Sequence, residues 1–128
     1  MDYTTVNCPF CLERNTREII AENDLAYAAF DIFPVSEGHC LVITKRHVSN
    51  FFETTSSEKE ALFSLVNELR LVLEKKYNPA GFNIGININE AAGQTVPHVH
   101  IHVIPRYSGD VENPRGGVRH VIPGRGNY

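Results

Sequence analysis

The sequence of 128 residues has no long apolar run, and no apolar segment approaches the roughly twenty residues that a membrane-spanning helix requires. Its first residues, from Asp2 to Thr5, are polar, whereas a secretory signal peptide would lead into an apolar stretch. These two observations lead us to expect a cytoplasmic protein without a membrane partner.

Strong net charge is also missing from the chain. Its 12 lysine and arginine residues face 15 aspartate and glutamate residues, which gives a formal net charge of −3 when the histidines are neutral. A protein that binds nucleic acid through general electrostatics carries an excess of positive charge. We therefore expect no nucleic-acid partner, although a small anionic ligand needs only local positive charge or backbone donors.

The sequence contains no P-loop and no carboxylate cluster of the kind that binds Mg²⁺ at a phosphate group, so we expect no catalytic metal. Internal repeats and domain boundaries are lacking as well, and a chain of this length supports one hydrophobic core. The prediction is a single domain over residues 1–128. Within it, residues from about 108 to 128 have many glycines and prolines and no periodicity, and we expect an extended C-terminal tail there.

What the sequence does have is an unusual distribution of histidine. Three of its six histidines, His98, His100 and His102, stand at every second position, with β-branched apolar residues between them. Side chains on a strand alternate between its two faces, so the histidines would share one face and the apolar residues the other. The pattern predicts a strand within residues 94–106 whose apolar face packs on a core while its imidazole face borders a cleft.

Short apolar runs predict the remaining strands. Residues 17–22 and 25–31 flank a short polar turn and fit two antiparallel strands. Residues 40–44 form a continuous apolar run, which is typical of a strand buried on both faces. In residues 82–88 apolar positions alternate with Asn and Gly, so a hairpin with the histidine strand would bring Asn87 beside the histidines.

One long amphipathic helix is predicted between these strands. Residues Ser57 to Glu60 match a capping box, and apolar residues then recur at helical spacing. Because Pro79 cannot continue a helix, the helix should end near Tyr77. We expect it to pack across the sheet and to carry no chemistry.

Cys8 and Cys11 form a C-x-x-C motif, which is the spacing of two thiolates that bind one metal ion. A redox-active pair would follow a strand and begin a helix, and nothing strand-like precedes this pair. In a cytoplasmic protein, metal or redox chemistry is expected before structural disulfides. Two reduced, partly buried thiols remain an alternative, and Cys40, which lies within an apolar run, is predicted to be a small core residue.

These features resemble the signature of the histidine triad (HIT) family. The alternating histidines follow Gly93-Gln94-Thr95, and the similarity includes residues 30–34 and 39–47 and extends over nearly the whole chain. The resemblance implies an α+β, HIT-like fold with an antiparallel sheet of about five strands and one long helix. It also implies a two-fold homodimer in which strands of both subunits join in one long sheet.

The resemblance further implies a hydrolase whose substrate is a purine nucleotide. In the family, the central histidine, here His100, attacks the α-phosphorus of a nucleoside phosphoramidate or dinucleoside polyphosphate and forms a covalent nucleotidyl-histidine. An imidazole suits this role because its unperturbed pKa of about 6.5 leaves it largely neutral at physiological pH. The positions that match nucleotide contacts of the family are Asp31, Ile32, Asn87, Gly93, Gln94, Thr95 and His102.

A structural zinc ion is implied in the same way. Some family members bind one through residues that correspond to Cys8, Cys11, His47 and His98. Spacing alone supports only the cysteine pair, because the two histidines lie far from it along the chain.

Other interpretations remain open from the sequence. A metal-dependent hydrolase could use the histidine strand as ligands, completed by a carboxylate such as Asp31 or Glu90. A non-catalytic nucleotide-binding module could have the same fold. If the chain is a dimer, the tail would reach toward the partner's nucleotide site, while His39 and His120 receive no role from the sequence.

Overall fold

The computed structural model describes residues 7–12 and 17–128, so the polar start from Asp2 to Thr5 lies outside it. The strands within these ranges are β1 (Ile19–Glu22), β2 (Ala26–Phe30), β3 (Cys40–Thr44), β4 (Gly81–Gly85) and β5 (His100–Arg106). They form one antiparallel sheet in the order β1-β2-β3-β5-β4. The helices are a single turn, α1 (Pro9–Leu12), and the long α2 (Ser56–Tyr77). This confirms the predicted α+β class with five strands and one long helix.

The histidine strand β5 occupies the inside of the sheet, between β3 and the edge strand β4. On one face its apolar side chains are completely buried against α2, as the alternation predicted. These side chains are Ile101 and Val103, together with Val99 just before the strand. On the other face His100 and His102 stand beside a smaller apolar cluster to which α1 contributes Phe10.

The strand begins at His100 and not ahead of His98, which differs from the expectation that three histidines share one strand face. Pro97 has no amide hydrogen to donate to a sheet. The amide of His98 instead bonds to the carbonyl of Val96 at 2.8 Å, and the backbone bends there. The His98 side chain therefore does not join the row of histidines on β5. It is buried against the cysteines of the N-terminal segment.

Helix α2 lies across the sheet with an apolar stripe that is fully buried and comprises Leu62, Leu65, Leu69 and Leu73. Its capping box is formed by Thr55 and Glu58, two residues earlier than predicted. The Glu58 carboxylate accepts a hydrogen bond from the Thr55 amide at 2.9 Å and forms an ion pair with Arg46 at 2.7 Å. Because Arg46 follows β3, this carboxylate fixes the helix start against the sheet. The helix ends at Tyr77, as predicted.

The segment after β5 packs on its own chain. It contains a 3₁₀ helix, Gly117–Val121, which contacts the edge strand β4. The predicted extended tail is therefore folded back in part, and it borders the same face of the sheet as His102. Within the described ranges, no helix combines the length and the apolar character that a membrane crossing requires.

Candidate active site

A cavity of about 430 Å³ lies over the histidine face of the sheet, between α1, the loop after β2 and the segment that leads into β5. The sequence-predicted residues that line it are Asp31, Ile32, Asn87, Thr95, His100 and His102. They come from four separate segments of the chain, and antiparallel pairing of β5 with β3 and β4 brings them together. Most of the predicted nucleotide residues thus share one cavity.

His100 is almost completely buried, and its ring position is fixed by the backbone. Its Nδ1 lies 2.8 Å from the carbonyl oxygen of His98. A carbonyl oxygen can only accept, so Nδ1 carries the hydrogen and Nε2 keeps its lone pair. Burial lowers the pKa of His100, an effect that the bond to the carbonyl opposes. The lowered pKa favours the neutral ring, which is the nucleophilic form.

Two further groups form a compact cluster with His102. Nε2 of His39 lies 3.0 Å from Nδ1 of His102 and 3.4 Å from a carboxylate oxygen of Asp31. Burial is the main cause that lowers the pKa of both histidines, while Asp31 acts in the opposite direction. The sequence predicted no role for His39. Its position after Gly38 gives no indication that its ring contacts His102, a residue 63 positions away.

Gly93 and Gln94 do not line the cavity, in contrast to the expectation. The Gln94 side chain spans the loop before β5, accepting from the Asn89 amide at 2.7 Å and donating to the carbonyls of Ser49 and Val96. Gly93 ends a short 3₁₀ helix with a φ of 92°, a left-handed conformation that glycine adopts without strain. Both residues shape the loop that presents Thr95.

The sequence reasoning missed the apolar wall of the cavity. Pro9 and Phe10 of α1 form part of it, and the Phe10 ring lies 5.0 Å from the ring of His100 between centroids. Phe33 stands at the mouth with 80% of its surface exposed, and Arg17 also lines the cavity. Phe10 lies within the Cys8–Cys11 motif, but the spacing of that motif predicts only that the two thiols bind one metal ion. It gives no indication of a role for the ring between them.

The predicted zinc residues also come together, in a second cluster next to the cavity. Nδ1 of His98 lies 3.3 Å from Sγ of Cys8 and 3.2 Å from Nδ1 of His47, which in turn is 3.3 Å from Sγ of Cys11. A tetrahedral ion with bonds of about 2.0–2.3 Å separates its ligand atoms by about 3.3–3.8 Å, close to these distances. All three cysteines of the chain are described, and no disulfide joins them.

The tautomer of His98 suits a metal ligand. Its Nε2 lies 2.7 Å from the carbonyl oxygen of Thr44, so Nε2 carries the hydrogen and Nδ1 directs a lone pair toward the cysteines. A backbone carbonyl on the second ring nitrogen is the usual way in which proteins orient a metal-binding histidine. The four side chains can therefore hold a metal ion without rearranging His98.

Comparison with known proteins assigns the family. The sequence model of the HIT domain matches residues 13–109, more than half of the chain. The chain belongs to the HIT family. The match includes neither Cys8 and Cys11 nor the segment after Gly109.

Relatives of this HIT protein include characterised and uncharacterised chains. It is 41% identical over 104 residues to an uncharacterized 16.1 kDa HIT-like protein of Mycoplasma pneumoniae, covering 79% of this chain and 72% of that one. It is 40% identical over 93 residues to the asymmetrical bis(5'-nucleosyl)-tetraphosphatase of Schizosaccharomyces pombe, covering 73% and 51%. The crystal structure of a Zn-bound histidine triad family protein from Mycobacterium smegmatis superposes with a TM-score of 0.77 at 31% identity, covering 84% and 80%.

The placement of Gln94 leads to a first testable prediction. Gln94→Ala removes hydrogen bonds to three backbone groups, so we expect it to lower the free energy of unfolding by about 1–3 kcal/mol. Thr95→Ala is the matched control, because Thr95 lines the cavity and should affect ligand affinity with little effect on stability. Urea denaturation of both variants measures this. Equal stability of Gln94→Ala and wild type would contradict the bracing role of the amide.

Proposed function

We propose that this HIT protein is a nucleotide hydrolase that acts at the α-phosphate of a nucleoside phosphoramidate or a dinucleoside polyphosphate. The observation that carries the proposal is the state of His100, whose Nε2 lone pair borders a cavity of nucleotide-compatible size. The amide of Asn87, the hydroxyl of Thr95 and a second histidine, His102, line the same cavity and can supply donors to a phosphoryl group.

In the proposed reaction, Nε2 of His100 attacks the α-phosphorus and a nitrogen–phosphorus bond forms. The bond to the leaving group breaks, and the leaving group departs with the electron pair and takes up a proton from water. The ring then bears a positive charge, because Nδ1 keeps its hydrogen. The carbonyl oxygen of His98 at 2.8 Å stabilises that charge. Water next attacks phosphorus and loses a proton to solvent, while the nitrogen–phosphorus bond breaks and its electron pair returns to Nε2. This step releases the nucleotide and restores His100.

The other cavity residues receive binding roles in this proposal. The Asp31 carboxylate can accept hydrogen bonds from ribose hydroxyls, and Asn87 and Thr95 can donate to phosphoryl oxygens. Ile32 and Phe10 provide apolar surface for a base, which we propose to be a purine. The name of the Schizosaccharomyces pombe relative supports the dinucleoside polyphosphate class among the two substrate classes.

We also propose that Cys8, Cys11, His47 and His98 bind a structural zinc ion. The donor set of two thiolates and two imidazoles closes a tetrahedral site, which leaves no open position for catalysis. The zinc-bound relative from Mycobacterium smegmatis supports the choice of metal. When bound, the ion supplies stability to the N-terminal turn, and through that turn it holds Phe10 beside His100.

A two-fold homodimer is the assembly we propose. In the described chain β4 is an edge strand, and apolar side chains near it remain exposed, with Ile84 at 46% and Phe63 at 47%. Together with Phe82 and Val66 they line a shallow apolar depression of about 260 Å³. A second copy placed across β4 would pair the edge and cover this surface.

The proposed nucleophile gives the second prediction. His100→Asn should reduce kcat by at least about a hundredfold, because a covalent nucleophile is lost, while nucleotide binding and folding remain. Single-turnover measurements with adenosine phosphoramidate and diadenosine tetraphosphate test both substrate classes side by side, and mass spectrometry of quenched wild type should detect a nucleotidyl adduct. His120→Asn, which lies in the tail, is the control.

Three outcomes would overturn that proposal in different ways. Turnover by His100→Asn above one hundredth of the wild-type rate excludes the covalent mechanism. Binding without turnover in wild type indicates a non-catalytic module. Loss of activity on chelation, in protein that keeps its structural metal, indicates a metal-dependent hydrolase instead.

The third prediction concerns zinc. Purified protein should contain about one zinc ion per chain, and Cys8→Ser should lose the ion and lower thermal stability together. Activity should fall as well, since Phe10 is held by the same turn. Cys40→Ala is the matched control, because burial raises the pKa of that thiol to about 12 and it lies in the core, so the zinc content should be unchanged. Metal-free protein with full stability would rule out a structural ion.

Assembly provides the fourth prediction. Wild type should sediment as a dimer at micromolar concentration, and Ile84→Lys should shift it toward the monomer, because a charge on the apolar edge must then be desolvated. Leu71→Lys, at a side chain on α2 that is 62% exposed, is the matched control and should leave the dimer intact. Monomeric wild-type protein would refute the assembly.

A further inference from the structure

We propose that Arg17 is a specificity-determining residue that contacts the edge of the bound base and selects a 6-oxopurine, guanine or hypoxanthine, over adenine. The position of the guanidinium is a property of the structure alone. The presence of a base beside it rests on the proposed function.

Arg17 is the cationic side chain of the cavity over the histidine face. Among the described residues that line this cavity it is the one arginine or lysine, and it is half-buried. Its neighbours in the wall include the apolar side chains of Pro9, Phe10 and Ile32. A guanidinium that is partly removed from water favours a ligand that brings acceptor atoms to it.

Two contacts hold the guanidinium against the walls to which the proposed function assigns the base. Cζ of Arg17 lies 5.5 Å from the centroid of the Phe10 ring, within the range of a cation–π contact. Nη1 donates to the carbonyl oxygen of Phe30 at 3.3 Å, at the end of β2 and directly before Asp31 and Ile32. Phe10 and Ile32 are the proposed surface for the base, and Asp31 is the proposed ribose contact. Arg17 therefore lies at the base end of the cavity.

The phosphate end of the cavity is formed by other segments. The donors that we assign to the phosphoryl group are Asn87 and Thr95, which lie between β4 and β5, and His102 on β5. Arg17 precedes β1 and is attached to Phe10 and to the end of β2. This separation assigns the guanidinium to the base and not to the phosphate.

Guanine and adenine differ at an edge that a guanidinium can distinguish. Guanine presents two adjacent acceptors, O6 and N7, whereas adenine presents the N7 acceptor beside the N6 amino donor. A guanidinium only donates, and its parallel N–H groups match O6 and N7 in a bidentate pair. Against adenine, one of these N–H groups would face amino hydrogens. The same cavity should therefore bind a 6-oxopurine more tightly than adenine.

A structural brace is the competing explanation for Arg17. Its contacts to Phe10 and to the carbonyl of Phe30 join α1 to β2, and this alone could account for its position. A brace would support every nucleotide to the same extent, because the same walls contact every base. Discrimination between bases therefore separates the two roles.

Calorimetric binding of GMP, inosine monophosphate, 7-deaza-GMP and AMP to the purified protein tests the contact atom by atom. We expect GMP and inosine monophosphate to bind about 5–100-fold more tightly than AMP, the range for a good bidentate contact to a base. 7-Deaza-GMP lacks N7 and should bind more weakly than GMP. Arg17→Met has no donors and should abolish the preference. Arg125→Met, at an exposed arginine of the C-terminal tail, is the matched control and should keep it.

A second variant tests for a change in preference and not only for its loss. The amide of a glutamine offers one donor and one acceptor, the pattern that pairs with N7 and N6 of adenine. Arg17→Gln should therefore shift the preference from GMP toward AMP, which loss of a brace cannot do. Urea denaturation of both Arg17 variants verifies that they remain folded.

Several outcomes would overturn the proposal. Wild type that binds AMP as tightly as GMP refutes it, and so does an Arg17→Met variant that weakens all four nucleotides by the same factor. An affinity that Arg17→Met lowers for GMP but not for the nucleoside guanosine shows a phosphate contact, which also refutes it.

Turnover distinguishes this proposal from the proposed function. If wild type binds GMP selectively but does not hydrolyse guanosine phosphoramidate, the proposed function fails and the role of Arg17 stands. Hydrolysis of guanosine and adenosine phosphoramidates with equal kcat/KM refutes the specificity alone. Wild type that binds no nucleotide refutes both.

Discussion

The backbone groups beside the histidine rings control what each ring can do. A carbonyl oxygen only accepts and an amide N–H only donates, so each contact places the hydrogen of one ring nitrogen. The carbonyl of Thr44 fixes His98 with a lone pair toward the cysteines, and the carbonyl of His98 fixes His100 with a lone pair on its far nitrogen. The Val35 amide donates to Nδ1 of His39, so that nitrogen has the lone pair and the hydrogen of the neutral ring is on Nε2. Chemically identical side chains thus acquire different roles from fixed neighbours.

The Cys–His cluster and the cavity over the histidine face are connected through one short segment. Cys8 and Cys11 belong to the cluster, whereas Pro9 and Phe10 between them line the cavity. The Phe10 ring lies next to both His98 and His100, with centroids 5.8 and 5.0 Å away. Since interiors are closely packed, displacement of this turn would shift the ring of His100. An ion bound in the cluster would therefore affect the cavity from outside it.

Local patterns predicted most elements of the fold but misplaced their ends where distant groups compete. Two overlapping capping boxes are available at the start of α2, and the ion pair of Glu58 with Arg46 selects the one at Thr55. The resemblance to the HIT family implies a nucleotide contact for Gln94. In this structure its side-chain amide donates to the carbonyl of Ser49, a residue on another loop, at 2.6 Å. In both cases the deciding partner is distant along the chain.

The sequence by itself determined which face of β5 is apolar, that His100 is the central one of three alternating histidines and that Cys8 and Cys11 form a pair, because alternation and short spacing are properties of neighbouring residues. Only the tertiary structure decided that His98 leaves the strand for the cysteines and that His39 meets His102. Those contacts join residues 90 and 63 positions apart, and they arise when β3 pairs with β5 and α1 packs beside them. The position of a ring hydrogen depends on the group that folding brings to it, and no local pattern contains that information.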